Sequence, residues 1–312
     1  MEEAFHTNSI VSKEKLKALS ERHNNPTLLL FICLYSLIFL ASWWVVNAWN
    51  NSWIEIIFSQ LSLAILCCSQ FAFLHEVAHL TAFKSKGLTK FAGLLGSVTH
   101  LYPISIFRDL HFTHHRYTHI PGKDPEISLG NKPIPSVIQT IPSFLMWLTG
   151  IPLLLFKLSM IFFGALGMPN DIRKSIYPFV RPESRLNIFA ESWLIISVNG
   201  FVVYLATTQN PGFYGLFIAQ IVGHCILSYY LTPEHNGLTH EGNILEKTRS
   251  LHTNRWVNLM MWNMPYHAEH HAFPAVPFYN LPKLHNEMKN ELIHTSENHT
   301  DFHVNVLTNK YK

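Results

Sequence analysis

Four apolar runs, at about 27–47, 52–74, 187–207 and 212–232, constrain this chain more than any other feature. Each is close to the roughly 20 residues that a helix needs to cross about 30 Å of hydrocarbon. In such a layer every backbone N–H and C=O must find its partner inside the chain, so the runs are expected as helices. Charged residues make up 14% of the 312, against roughly 25% in a soluble domain. The expected fold is therefore all-α and integral to a membrane, with four transmembrane helices in two hairpins. A net charge of +3 is too small for the basic footprint of a nucleic-acid binder.

Loop charges set the expected topology. The loops 47–52 and 207–212 contain no Lys or Arg, whereas the segment before the first run and the segment 75–186 contain many. By the positive-inside rule both short loops lie outside and both termini inside. Two further apolar stretches are expected as interfacial or re-entrant pieces. The stretch 91–107 contains His100 and Pro103 and is followed by Arg108. The stretch 134–167 is broken by Pro135, Pro142 and Pro152 and carries Lys157. The chain then divides into a polar cytosolic segment 1–26, a membrane domain 27–285 and a polar tail 286–312. The first run is long and lacks a small-residue cleavage site, so it reads as a retained helix and not as a secretory signal. Cys33, Cys67, Cys68 and Cys225 all sit in apolar runs. They read as small hydrophobes, with neither disulfides nor a thiolate metal site.

Residues 52–79 contain neither Pro nor Gly, which predicts one helix of about 28 residues, roughly 42 Å long. Its last turns would leave the lipid carrying His75 and His79. The fourth run ends just before Pro233, Glu234 and His235 on the same expected face.

The 20 histidines equal Asp and Glu together. Eight fall in three clusters: His75-Glu-Val-Ala-His79, His111-Phe-Thr-His114-His115 and His267-Ala-Glu-His270-His271. Spacings of three and four residues put the rings of each cluster on one helix face. Imidazole suits Fe, Zn, Cu and Ni. Eight converging rings overfill one ion and suit two, and His235 adds a ninth. Asp124, Glu234 and Glu269 are the expected acceptors for the far N–H of ligating imidazoles. His119, four residues after His115, is expected as a donor behind them or as an alternative ligand. His100 and His224 read equally as tunnel-lining or as buried hydrogen-bonded rings. His240 and His252 flank the site without an assigned role, and His6, His23, His285, His294, His299 and His303 read as solvated or tail residues. The first cluster also matches the HExxH of zinc proteases, with Glu76 as general base. That reading leaves both HxxHH clusters idle; without it Glu76 is a carboxylate behind the ligands or facing solvent. A membrane metal transporter is a further, weaker reading.

The order HxxxH (75–79), HxxHH (111–115) and HxxHH (267–271), with hairpins between, resembles the membrane fatty-acid desaturase and hydroxylase superfamily. The third region reads Asn263-Met-Pro-Tyr-His-Ala-Glu-His-His-Ala-Phe-Pro-Ala-Val-Pro-Phe-Tyr-Asn-Leu-Pro-Lys-Leu-His285. It is similar to bacterial members, as is the continuation of the second cluster to Asp124-Pro125-Glu126. The resemblance covers most of 27–285. It implies a di-iron centre on the cytoplasmic face, in a bacterial cell that of the inner membrane. It also implies dioxygen as cosubstrate, two external electrons, and hydrogen abstraction from an unactivated C–H bond of an acyl chain or related lipid. The metal ligands it implies are His75, His79, His111, His114, His115, His267, His270 and His271. His235 matches an extra histidine that many members place after the fourth helix. Animal acyl-CoA desaturases have Asn four residues before that histidine; here the position is Leu231, with Glu234 as a possible substitute. The HPGG signature of a fused cytochrome b5 is missing, and His119-Ile-Pro-Gly122 is only an echo of it. A separate ferredoxin or cytochrome b5 with its reductase is therefore expected, and the basic segments 173–185 and 247–255 are candidate docking sites. The same centre can insert oxygen, as in a hydroxylase, a ketolase or an oxygenase of non-fatty substrates. Positioning of the substrate, which motifs do not encode, decides between the outcomes.

Overall fold

A computed structural model describes residues 10–308 and 310; Glu2, Glu3 and His6 of the N-terminal segment lie outside the described residues. In chain order the helices are α1 (Lys13–Leu19), α2 (Asn25–Ala48), α3 (Trp53–Ala78), α4 (Lys86–His100), α5 (Ile104–Tyr117), α6 (Ile141–Leu148) and α7 (Ile151–Ala165). They continue with α8 (Asn170–Ser175), α9 (Arg185–Thr208), α10 (Tyr214–Leu231), α11 (Arg255–Met260), α12 (His267–Ala272), α13 (Leu281–Met288) and α14 (His299–Leu307). Among the described residues, sheet is confined to two-residue strands. β1 (Ser128–Leu129) pairs antiparallel with β2 (Lys132–Pro133), and β3 (Ser250–Leu251) pairs parallel with β4 (Thr295–Ser296).

Helices α2, α3, α9 and α10 are long and apolar enough to cross a membrane. α3 is the central one: 56% of its most apolar window is buried, against 17% for α2 and 22% for α9. The peripheral helices turn Phe39, Trp43 and Phe201 outward, each more than half exposed. An apolar surface of this kind suits lipid and not water. The indole of Trp44 donates to Glu55 Oε1 at 3.1 Å, closing the first hairpin. A Cβ on Gly212 would collide with the Val46 carbonyl, so the turn before α10 packs directly on the end of α2. Both hairpin turns therefore lie at one end of the bundle, and the histidine-bearing ends of α3 and α10 at the other.

The stretch expected at 91–107 is two helices. α4 stops at Leu101, which is left-handed (φ 54°), and Pro103 starts α5 in a new direction. Ser97 Oγ accepts from the Ile104 N–H at 2.8 Å and fixes the corner. The stretch expected at 134–167 is the pair α6–α7, bent by 60°. The bend falls at Gly150 (φ +69°), where a Cβ would collide with the backbone of His224 and Cys225. Only glycine allows α10 that close.

Lys157 counts towards an interfacial α7 only if it reaches water, and it does not. The side chain is fully buried. Its Nζ lies 2.8 Å from His100 Nε2 and 3.1 Å from His224 Nε2. His224 Nδ1 donates to the Gln220 carbonyl at 2.7 Å. Of the two readings open for His100 and His224, the structure shows buried, hydrogen-bonded rings.

Most arginines of the basic segments are used to fold the chain. Arg181 pairs with buried Asp109 at 2.6 Å, Arg173 donates to the Val180 carbonyl at 3.0 Å, and Arg185 donates to the Gly167 carbonyl at 2.8 Å. Arg249 is buried against the carbonyls of Pro233 and Asn236. Together with Glu191, which accepts from Ser105 N–H and Oγ at 2.9 and 2.7 Å, the Arg181 pair presses α5 onto the start of α9.

Candidate metal centre

Each histidine cluster sits where a helix leaves the bundle or caps it. His75 lies in the last turn of α3 and His79 is its C-cap. His111, His114 and His115 occupy the C-terminal half of α5. His267, His270 and His271 make up half of the six-residue α12. That short helix is held by its surroundings: Ser250 Oγ accepts from the Ala268 N–H at 3.0 Å, and the Leu251 N–H donates to the Pro265 carbonyl at 2.9 Å.

The rings converge in two groups. Nitrogens of His75, His79, His111, His115 and His270 all lie within 4.8 Å of one another, and so do those of His114, His235 and His271. In the first group His79 Nε2 is 2.7 Å from His111 Nε2 and 3.1 Å from His270 Nε2, and His115 Nε2 is 3.0 Å from His111 Nε2. His267 stands outside both groups by this measure, but its Nε2 is 2.9 Å from His235 Nε2. The structure thus brings together all nine histidines singled out from the sequence. Eight are buried and His115 is half-buried.

The far ring nitrogens explain how the rings are aimed. His114 Nδ1 meets both oxygens of Asp124 at 3.0 Å. His235 Nδ1 donates to the Lys247 carbonyl at 2.9 Å. His271 Nδ1 lies 3.3 Å from Thr118 Oγ1, whose own proton goes to the His114 carbonyl. Each contact fixes a tautomer and leaves Nε2 free to face a cation. Nδ1 of His75, Nδ1 of His270 and Nε2 of His271 are buried without a hydrogen-bond partner among the described residues. Nε2 of His271, whose Nδ1 proton goes to Thr118, is a bare lone pair, and burying it is costly unless something electropositive meets it. Paired Nε2 atoms at about 3 Å are likewise badly matched as hydrogen bonds and well matched as ligands. The donor set, all imidazole among the converging atoms, fits two transition-metal ions such as iron.

Electrostatics agree for six of the rings. Burial, then neighbouring rings, hold His111, His115, His267 and His271 well below the usual histidine range. The same causes bring His235 and His270 down to about 3. These rings are neutral, the state that ligation requires. Burial also opposes charge on His114, but Asp124 and then Glu126 outweigh it and raise this ring to about 9.

The carboxylates divide. Asp124 takes the expected place and also accepts from the backbone N–H of His119 and of Glu126, at 2.6 and 2.9 Å. Glu234 approaches His267 Nδ1 only to 3.6 Å. Glu269 is a correction: it reaches no ligand ring and is taken up by Ser250 Oγ and His285 Nδ1. Its neighbours on α12 face the centre while it faces the opposite way, as the helical period demands. His285 is accordingly no tail residue. The His119 ring donates to the Thr239 carbonyl at 2.8 Å and belongs to neither group. It acts through its backbone, left-handed at φ 60°. Thr118 and the Lys247 carbonyl were not legible from sequence; the Thr four residues after His114 was the one available signal for the first.

Glu76 neither faces solvent nor stands behind a ligand. It is fully buried, and its Oε2 accepts from Thr81 Oγ1 at 2.8 Å and from the Phe278 N–H at 3.2 Å. It ties the end of α3 to the segment after α12 and is not placed as the general base of a protease. Glu76→Gln is expected to keep most of the wild-type turnover, because an amide oxygen accepts the same two bonds. Loss of turnover with metal content intact would restore a chemical role to this carboxylate.

Comparison with known proteins agrees with this geometry. The profile of the fatty acid desaturase family matches residues 51–297. A sphingolipid delta(4)-desaturase-like protein of Oryza sativa subsp. japonica is 24% identical over 268 residues, covering 83% of this chain and 72% of the relative. A sphingolipid delta(4)-desaturase/C4-monooxygenase of Homo sapiens is 26% identical, covering 67% of this chain but only 58% of its own length. A sphingolipid delta(4)-desaturase of Mus musculus is 25% identical, covering 90% of this chain and 80% of the relative. The expected likeness to bacterial members is not what these relatives show, since they come from a plant and two mammals.

Proposed function

The chain belongs to the fatty acid desaturase family, and on that premise we propose that it desaturates a sphingoid or related acyl lipid at a di-iron centre on the cytoplasmic membrane face. The observation that carries the reading is the convergence of nine histidines into one group of five and one of three, with His267 alongside. When bound, the two iron ions supply dioxygen activation and the removal of hydrogen from an unactivated C–H bond. Two substrate hydrogens, two electrons and two protons balance one dioxygen as two waters. A separate carrier, a ferredoxin or a cytochrome b5 with its reductase, would deliver the electrons.

The chain's own residues do the holding and the excluding. Asp124, the Lys247 carbonyl and Thr118 orient the rings from behind. α5 and α12 cover the centre from two sides, and burial of its ligands keeps bulk water out. Sphingolipids are favoured as substrates because the relatives are sphingolipid delta(4)-desaturases. The cytoplasmic side is supported by the two hairpin turns, which lack Lys and Arg and lie together opposite the histidines.

Oxygen insertion is the second reading. One relative's name joins desaturase with C4-monooxygenase, so the same scaffold supports both outcomes there. The test is elemental analysis of the purified protein together with the mass of the product lipid. About two iron ions per chain and a product lighter by two hydrogens are expected. A product heavier by one oxygen would select hydroxylation, and zinc without iron would remove the reading altogether.

A further inference from the structure

Helices α3, α10 and α11 enclose a cleft of about 650 Å³ outside the metal centre. Its wall is apolar, built from Ile65 of α3, Ile226 of α10, and Val257 and Met260 of α11. Ile65 is 49% exposed in the middle of a membrane-crossing helix, so the cleft opens sideways onto lipid. Trp256 at its mouth is 63% exposed and carries the Arg255 guanidinium 4.9 Å from its ring centre. Such an aromatic–cation pair suits the headgroup layer. The opposite rim is polar and comes from residues 297–300, which the β3–β4 pairing holds in place. Thr300 Oγ1 is 3.1 Å from the Tyr229 hydroxyl.

Cys68 and Tyr230 form part of the lining. Tyr230 is only 6% exposed, and its hydroxyl has no hydrogen-bond partner among the described residues. Nε2 of His299, also in the lining, likewise has no partner among the described residues. A buried phenol without a partner is rare, because the group gives up its water for nothing. Tyr230 lies four residues before Glu234, whose carboxyl is 3.6 Å from His267 Nδ1. The lining of the cleft and the metal centre are therefore one turn of chain apart.

We propose that this cleft seats the lipid substrate and that Tyr230 reads a hydroxyl or amide carried on the lipid beside the carbons that react. The inference rests on the desaturase reading and adds to it a binding site and a specificity residue. A phenol both donates and accepts, so it can pair with either group. A plain acyl chain would leave it unpaired, and the site would discriminate against such a chain. The apolar wall takes the hydrocarbon, and the rim at 297–300 takes the polar end.

The test uses the full-length, iron-loaded protein in lipid nanodiscs and two lipids of equal chain length: a sphingoid-base lipid with free hydroxyls, and the same lipid with the hydroxyl nearest the reacting carbons replaced by hydrogen. The wild-type chain is expected to favour the hydroxylated lipid by about tenfold in kcat/KM. Tyr230→Phe, which removes one unpaired oxygen and leaves no new one, is expected to bring that ratio to about one, through KM. An unchanged ratio in the variant overturns the assignment of Tyr230. Separately, the hydroxylated lipid carrying a diazirine is photolysed on wild-type protein. Adducts are expected on peptides containing Tyr230 or Met260, and adducts confined to other segments overturn the cleft. Labelling does not require turnover. A chain that labels in the cleft yet oxidises neither lipid would sink the desaturase reading and leave the binding site standing.

Discussion

Alanine at His270 is expected to abolish turnover and iron loading together. This ring joins the clusters: its Nε2 is 3.1 Å from the Nε2 of His79 and equally far from that of His115. It thereby links the end of α3, the end of α5 and α12 at one point. Removing a partner behind a ligand costs about 10–100-fold in metal affinity, and removing the ligand itself should exceed that range. His114→Ala is the matching change in the second group and should have the same result. Iron per chain and product formation are measured on protein that still elutes as a single folded species. A variant with full iron content and undiminished turnover would strike that residue from the ligand set.

The second large effect is expected at Asp124, which touches no metal-facing nitrogen. Asp124→Ala should lower iron affinity by about 10–100-fold and stability by about 3 kcal/mol. The carboxylate is 1% exposed and accepts from His114 Nδ1 and from the backbone N–H of His119 and Glu126. Without it the His114 ring is free to turn, and two buried amides lose their acceptor. Asp124→Asn removes the charge and keeps one of the two oxygens, so one of the backbone N–H groups of His119 and Glu126 loses its acceptor. An amide oxygen can still accept from His114 Nδ1 but no longer stabilises its charge, so His114 should fall below about 9, with Glu126 still holding it up. Iron titrations at fixed pH and thermal unfolding of all three proteins check both numbers. Wild-type affinity in Asp124→Ala would mean that packing alone aims His114.

The four spans were legible because a membrane helix needs only a run of apolar residues, and no long-range partner has to be known. The convergence of the histidine clusters was legible for a related reason: spacings of three and four put rings on one face whatever the rest of the chain does. Legibility ended where a residue's role depends on a partner far away in sequence. Glu269 sits inside a histidine cluster, yet its partners are Ser250 and His285. Glu76 is spent on Phe278, 202 residues later. The breaks at Leu101 and Gly150 were blurred into single apolar stretches, because hydropathy averages over the one or two residues at which a chain changes direction. Lys157 read as a sign of the interface because a lone ammonium is costly in hydrocarbon. Its two imidazole neighbours are 57 and 67 residues away, and nothing local announces them.

That cluster also bears on the order in which the protein is put together. The ribosome releases Lys157 long before His224, so α7 reaches the membrane with half of its polar company still unmade. An ammonium facing one ring is poorly sheltered, and the bent pair α6–α7 has reason to wait at the headgroups until α10 has inserted. Gly150 presses on the backbone of His224 itself, so the bend and the polar contact lock at the same moment. The polar contacts of Lys157 and the close approach at Gly150 are therefore complete only once α10 is in place.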